Sequence, residues 1–132
     1  MIRLPADYAT KNGPVKSHGS AFELLLASEL ILRGGHVAIS AGHFNPWDLI
    51  CVADCGKISK IDVKHANSWE TRVLPGKPGF DALAIFSLGD WYLCPEKSVR
   101  KKSICISSVA RFRDNWSLIL PTDAKTKENK DS

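Results

Sequence analysis

The sequence predicts one domain of the α/β class (α+β, with a mixed sheet). Apolar residues recur at helical spacing from Ser17 to Leu32, and the rest of the chain carries short apolar runs separated by turn signals. The chain has 132 residues, of which 44% are hydrophobic, so it can bury one core. We expect an N-terminal arm over residues 1–16, the folded domain over 17–121 and a disordered tail over 122–132.

Composition narrows the class of protein. No apolar run reaches the length of a membrane span, and the polar N-terminus lacks a signal-peptide core, so a cytoplasmic, intracellular protein is expected. The four cysteines form no CxxC pair and the four histidines no HxxxH pair, which favours reduced thiols over disulfides or a zinc site. The net charge of +4 only weakly favours a nucleic-acid partner.

The first element is a helix. Phe22, Leu25 and Leu26 give it one apolar side, and Gly34-Gly35 is expected to end it. Ser20 followed by Glu23 three residues later matches a capping box, which predicts the helix start and by itself would explain Glu23.

Strands are predicted wherever apolar runs lie between turn residues. Pro75-Gly76 and their neighbours mark the long connection as a loop, and a short helix that docks Trp116 and Leu118 is expected to close the domain. The predicted strands are 36–40, 48–53, 58–65, 82–88, 91–94 and 103–107; the predicted loops are 41–46 and 67–80; residues 96–102 form a basic turn, and 108–120 form the closing helix.

Charged residues lie inside the predicted hairpin, where a sheet would favour Val and Ile. With the turn over residues 54–57, Asp48 and Asp62 are at matching distances from it, and such cross-strand neighbours have Cβ atoms about 5 Å apart. Two carboxylates that close repel each other unless a cation lies between them. Mg²⁺ suits that position, because it binds one or two carboxylates, waters and a substrate phosphate.

Strand alternation puts Lys64 on the same face as Asp62, and His65 on the opposite face, where packing is expected. The Lys64 side chain could orient or, as the neutral amine, deprotonate a water, or as the ammonium stabilise negative charge on a phosphate. If the helix packs on the sheet, Glu23 can reach the same face. The alternative is a surface Asp–Lys pair of about 0 to 1 kcal/mol.

Taken in order, three segments resemble the PD-(D/E)XK nuclease superfamily: Gly19-Ser-Ala-Phe-Glu23, Pro46-Trp-Asp48 and Ile61-Asp62-Val63-Lys64. The likeness extends over roughly residues 17–120. It departs from the family pattern where Trp47 separates Pro46 from Asp48. Members of this superfamily include archaeal-type Holliday junction resolvases and intron-encoded homing endonucleases. The resemblance implies a restriction-endonuclease-like core, with a central mixed β-sheet flanked by helices.

The resemblance also implies roles for single residues. Asp48 and Asp62 would bind the metal, Mg²⁺ or Mn²⁺ as a substitute, together with the backbone carbonyl of Val63. Glu23 would be a further acidic ligand, either direct or through water. Lys64 would be the catalytic lysine that helps to position the attacking water, and cleavage of DNA would leave a 5′-phosphate.

Basic residues suggest where DNA could bind. Arg72 and Lys77 lie in the loop after the motif, and an acid-free stretch near the C-terminus is rich in cations. A solvated surface balanced by acids elsewhere explains that stretch equally well. Its cations are Lys97, Arg100, Lys101, Lys102, Arg111 and Arg113, and the DNA-binding candidates are Arg72, Lys77, Arg100, Lys101 and Lys102.

The function expected from the sequence is a Mg²⁺-dependent DNA endonuclease, either junction-resolving or site-specific of the homing or phage type. The alternatives are a non-catalytic nucleic-acid-binding or assembly domain of the same fold, and a nuclease that acts on RNA. Because cutting two strands or resolving a junction needs two active sites, a homodimer is expected and a tetramer is possible.

Overall fold

The computed structural model describes residues 14–40, 47–68, 72–73, 79–101 and 103–121, and side chains from residue 21 onward apart from that of residue 72. Most of the predicted arm, the predicted loop 41–46, most of the predicted loop 67–80 and the whole of the predicted tail 122–132 lie outside this description. Within it, no helix has both the length and the apolar character needed to cross a membrane.

Helix α1 spans Pro14–Leu32 and begins earlier than predicted. Proline is favoured in the first helical turn, because its missing N–H would have no helical partner there. The predicted capping box at Ser20 is therefore wrong, since both of its residues lie inside the helix. The helix ends where predicted: Gly34 takes φ +97°, and the Gly35 N–H donates to the Leu30 carbonyl at 2.9 Å.

A five-stranded mixed sheet in the order β1-β2-β3-β5-β6 follows the helix and confirms the predicted fold class. Strands β3 and β5 pair in parallel, and the other neighbours in this sheet pair antiparallel. Two short strands, β4 and β7, form a separate antiparallel pair. The strands are β1 His36–Ile39, β2 Leu49–Val52, β3 Ile58–Ala66, β4 Arg72–Val73, β5 Ala82–Ser87, β6 Asp90–Pro95 and β7 Ile104–Cys105.

The hairpin of β2 and β3 has the register that its turn predicts. Leu49 lies opposite Ile61, and Ile50 lies opposite Lys60. Gly56 occupies the turn with φ +94°, a conformation that favours glycine. Beyond the last pair the Asp48 N–H donates to the Ile61 carbonyl at 2.8 Å, so the chain just before β2 stays beside β3.

Two apolar cores lie on the two faces of the sheet. The first core joins α1 to β2, β3, β5 and β6 through residues such as Leu30, Leu49 and Ile61, all fully buried. His65 points to this side of the sheet, where its exposed ring stacks on the Phe22 ring at a centroid distance of 4.4 Å, a packing contact as expected. The second core lies mainly over β5 and β6; its members include Leu83, Ile85, Tyr92, Val99 and Ile106.

The C-terminal segment is not the single helix that was predicted. It forms two 3₁₀ segments, Ile106–Phe112 and Trp116–Leu118, separated by Asp114 at φ +55°. The expected docking of Trp116 and Leu118 on the core is confirmed. The segment also covers the outer edge of β6, because the Asp114 N–H donates to the Trp91 carbonyl at 2.9 Å. All four cysteines are free thiols, as expected.

Candidate active site

Asp48 is the first residue of the site and lies just before β2. Its Oδ2 accepts a hydrogen bond from the backbone N–H of Val63 at 2.8 Å. The carboxylate is half-buried, and this contact fixes it against the middle of β3. The bond places Asp48 beside the two charged residues that flank Val63.

Asp62 and Lys64 lie on the face of β3 that is opposite to the side chain of Val63. The Asp62 side chain is only 6% exposed, whereas that of Lys64 is 36% exposed. Their charged atoms, Nζ and Oδ1, are 3.6 Å apart, which is a close ion pair but longer than a strong hydrogen bond. A nearly buried carboxylate therefore has an ammonium beside it that still reaches solvent.

Glu23 brings a third carboxyl group to the site from the middle of α1. Its pKa is raised from 4.5 to about 7, first by burial, then by the negative charge of Asp48 and a hydrogen bond shared with Asp48, and then by Asp62; Lys64 lowers it. Glu23 is neither a capping residue nor in the first turn, so the alternative explanation for it is wrong. The structure thus brings together all four side chains that the motif singles out.

The donors of this site can be compared with the needs of a metal ion. In the described part of the chain, no three His, Cys, Asp or Glu side chains form a ready-made metal site. Mg²⁺ does not require three, because it keeps several waters and takes one or two carboxylates. Asp48 and Asp62 offer only oxygen atoms, and their negative charges, after burial, help to raise the pKa of Glu23, so a cation at this position would offset part of that repulsion. The residues present therefore fit Mg²⁺.

Comparison with known proteins finds solved structures with a similar fold. Neither protein-family profiles nor curated protein sequences gave a match. Among solved structures, the bacterial homing endonuclease I-Ssp6803I matches with a TM-score of 0.66 at 21% identity, over 85% of this chain and 95% of that one. The Holliday junction resolvase Hjc of the archaeal hyperthermophile Archaeoglobus fulgidus matches with a TM-score of 0.56 at 20% identity, over 71% and 88%.

The chain shares the fold of these two nucleases. The restriction-endonuclease-like core expected from the motif is confirmed.

On this fold, several cations of the predicted basic stretch already have partners within the chain. Arg100 forms a forked contact with Glu96, with both of its closest N–O distances at 2.8 Å. Arg113 pairs with Asp90 at 3.8 Å, and the Arg111 guanidinium lies 4.3 Å from the centre of the Phe112 ring. The structure thus favours, for Arg100 and Arg113, the alternative in which surface acids pair with these cations, over the one in which they are available to bind DNA.

The remaining cations differ in whether the structure describes their side chains. Lys101 is exposed, and so is Lys97; neither has an acidic partner within the described ranges. Lys77 and Lys102 lie outside the described residues, as does the side chain of Arg72, whose backbone forms part of β4.

Two residues near the site were not singled out from the sequence. Lys60 is exposed on β3, and its backbone is held by Asp81, which lies just before β5. The Lys60 N–H donates to Asp81 Oδ2 at 2.8 Å, and the Asp81 N–H donates to the Lys60 carbonyl at 2.7 Å. Strand alternation predicts Lys60 on the face of Asp62 without giving it a role, and no local pattern links Asp81 to Lys60 across twenty-one positions.

Proposed function

We propose that this chain is a metal-dependent DNA endonuclease that hydrolyses phosphodiester bonds, either junction-resolving or site-specific. The observation that carries the proposal is the meeting of Glu23, Asp48, Asp62 and Lys64 beside one hairpin. Support comes from the shared fold, since one solved neighbour is a homing endonuclease and another is a Holliday junction resolvase.

The cofactor in this proposal is Mg²⁺, with Mn²⁺ as a substitute. Asp48 and Asp62 would hold it, with the Val63 carbonyl and Glu23 as further oxygen donors. When bound, the ion neutralises charge on the phosphate oxygens and promotes ionisation of water near neutral pH.

The side chains of the protein supply the rest of the site. The Lys64 ammonium is held beside Asp62 and reaches solvent, so it can orient the attacking water or stabilise charge on the phosphate. Asp48 is fixed from two directions, by the Val63 N–H and by its hydrogen bond with Glu23. This arrangement is pre-organised, because the carboxylates need not move to meet the lysine.

A single site of this kind cuts one strand. We therefore propose a homodimer, with a tetramer possible, as the form that cleaves both strands or resolves a junction.

The direct test is cleavage of supercoiled plasmid, linear duplex and a four-way junction in Mg²⁺ and in EDTA. Wild type should cut in Mg²⁺ only, and Lys64→Ala should not cut. Lys57→Ala is a matched control from the same hairpin, because the Lys57 ammonium instead donates to the Leu118 carbonyl at 2.7 Å. That control should cut like wild type.

Any other result of this experiment would indicate a different explanation. Equal nicking by wild type and Lys64→Ala would indicate a contaminating nuclease. Failure of wild type to cut any of these DNAs would favour a non-catalytic nucleic-acid-binding or assembly domain. Preferential cleavage of single-stranded RNA in competition would indicate a nuclease that acts on RNA.

A further inference from the structure

Half of one sheet face is open to solvent. The second core covers this face over β5 and β6, but over β1 to β3 Ile58 is 59% exposed, and Ala38 and Lys60 are exposed. Ala38 pairs with Ile50, and Ile50 pairs with Lys60, so these three residues form a row across that face. We call this surface, over residues 36–39, 49–52 and 58–61, the open half-sheet.

Lys60 lies on the open half-sheet in line with the candidate active site. Because side chains alternate along a strand, Lys60, Asp62 and Lys64 project to one side of β3. Lys60 precedes Asp62 by two residues, which is about 7 Å along the strand. A molecule bound at Asp62 and extended along β3 would meet Lys60 next.

The position of Lys60 is fixed by its neighbours. Ser59 and Ile61, on either side, are 1% and 0% exposed. Asp81 binds both the N–H and the carbonyl of Lys60, and its carboxylate is directed to that N–H. Within the described ranges the Lys60 ammonium has no ion-pair partner, so a positive charge is presented from a rigid backbone without a neutralising acid.

Resting on the nuclease function proposed above, we propose that Lys60 is a phosphate contact that holds the DNA strand on the open half-sheet. The phosphate bound there would lie one or two nucleotides from the bond cut at Asp62 and Lys64. A lysine ammonium suits this role because it is a compact charge that donates hydrogen bonds in several directions.

A second copy of the chain is the rival occupant, because Ile50, Val52 and Ile58 would suit a protein surface. Lys60 argues against it. An apolar interface would bury that ammonium, which has no ion-pair partner among the described residues, and an unpaired buried charge is strongly unfavourable. A phosphate supplies the missing negative charge, so the charge on the half-sheet favours DNA.

The test is the salt dependence of DNA binding, measured by fluorescence anisotropy on a labelled linear duplex and a labelled four-way junction in EDTA. Each phosphate contact contributes about 0.9 to the slope of log K against log salt. Lys60→Ala should lower that slope by about 1, so its affinity deficit should shrink about three- to fourfold between 50 and 200 mM salt. Lys60→Arg should retain the slope, and so should the matched control Lys57→Ala.

Cleavage kinetics give a second readout. Lys60→Ala should raise KM and leave kcat within about twofold, because uniform binding is lost and the chemistry is untouched. An unchanged salt slope in Lys60→Ala, with its circular dichroism spectrum intact, would overturn the inference. So would a Lys60→Ala protein that loses the oligomeric state of wild type by size-exclusion chromatography, since the half-sheet would then be a protein interface.

The inference and the proposed function fail differently. If wild type binds and cuts DNA while Lys60→Ala keeps the wild-type slope, only the role of Lys60 is overturned. If wild type binds none of the DNAs at low salt, the nuclease function is overturned and the role of Lys60 with it.

Discussion

The carboxylate of Asp48 accepts a hydrogen bond from the backbone N–H of Val63, the residue that separates Asp62 from Lys64. One side chain therefore fixes the strand that carries Asp62 and Lys64, two of the other three ionisable groups of the site. Its hydrogen-bonding role and its charge can be tested separately, because asparagine keeps an acceptor oxygen and loses the charge.

Asp48→Asn should retain most of the stability of the protein and lose metal-dependent cleavage. Asp48→Ala should lose both, with a decrease of about 1.5–3 kcal/mol in the free energy of unfolding, because the partly buried Val63 N–H loses a charged acceptor. Urea denaturation in EDTA measures the stability of both variants, and plasmid nicking measures activity. Equal loss of stability in the two variants would show that the hydrogen bond does not matter.

The raised pKa of Glu23 should make stability depend on pH in the metal-free protein. Its pKa is about 7 in the folded protein and 4.5 without the fold, so the folded state binds more protons between these values. The contribution of protonated Glu23 is fully present below pH 4.5 and is lost as the pH rises through about 7. Stability should therefore fall with rising pH across this window.

Glu23→Gln should flatten that pH dependence, because glutamine cannot ionise. Free energies of unfolding in EDTA at about pH 5 and about pH 8 give the comparison. Glu29→Gln serves as the control: it lies on the same helix and pairs with Arg33 at 2.8 Å, away from Asp48. A wild-type pH dependence that persists in Glu23→Gln would assign the effect to another group.

Lys64→Ala should separate activity from stability. The Lys64 side chain is 36% exposed, but Asp62 is only 6% exposed, so removal of their ion pair should lower the free energy of unfolding by about 1–3 kcal/mol and leave the protein folded. Cleavage should fall by at least about 100-fold, the usual contribution of a positioned acid–base group. Parallel unfolding and nicking assays check this. An unfolded variant would instead show that Lys64 is needed for the fold.

Gly35→Ala should loosen the end of α1 from the sheet. An added Cβ would lie 2.7 Å from Cys51 Sγ and 3.2 Å from the Leu30 carbonyl, so overpacking should cost about 1–3 kcal/mol. Cys51→Ala relieves part of this clash. It should therefore cost less in the Gly35→Ala background than in wild type, and thermal unfolding of the four proteins measures the difference. Additive costs would show that the two positions do not interact.

The hairpin and its charged face could be predicted because they follow from local rules. A turn with Gly56 sets the register, the register sets Asp48 near Asp62, and alternation sets Lys64 on the side of Asp62. The helix stop at Gly34 follows in the same way from the left-handed conformation that glycine tolerates.

The ends of other elements could not be predicted, because they depend on contacts that are distant in sequence or on competing local signals. Ser20 matched a cap, but helix α1 had already begun at Pro14. The C-terminal segment is bent by its hydrogen bonds to β6, including the one from Asn115 Nδ2 to the Leu93 carbonyl at 3.1 Å. Apolar periodicity gives no sign of such contacts, so it predicted one continuous helix.

The charges of the basic stretch were only partly predictable. Glu96 precedes the stretch and lies four residues before Arg100, a helical spacing that could have revealed their pairing. Asp90, by contrast, meets Arg113 only because β6 and the C-terminal segment fold against each other. No sequence spacing indicates that contact.

The most direct measurement is the anomalous difference density of crystals soaked in Mn²⁺. A peak about 2 Å from carboxylate oxygens of both Asp48 and Asp62, absent from Asp62→Asn crystals, is the predicted result. A fully soaked wild-type crystal with no peak there, or with Mn²⁺ bound only at other residues, would contradict the proposal that this hairpin holds the catalytic metal.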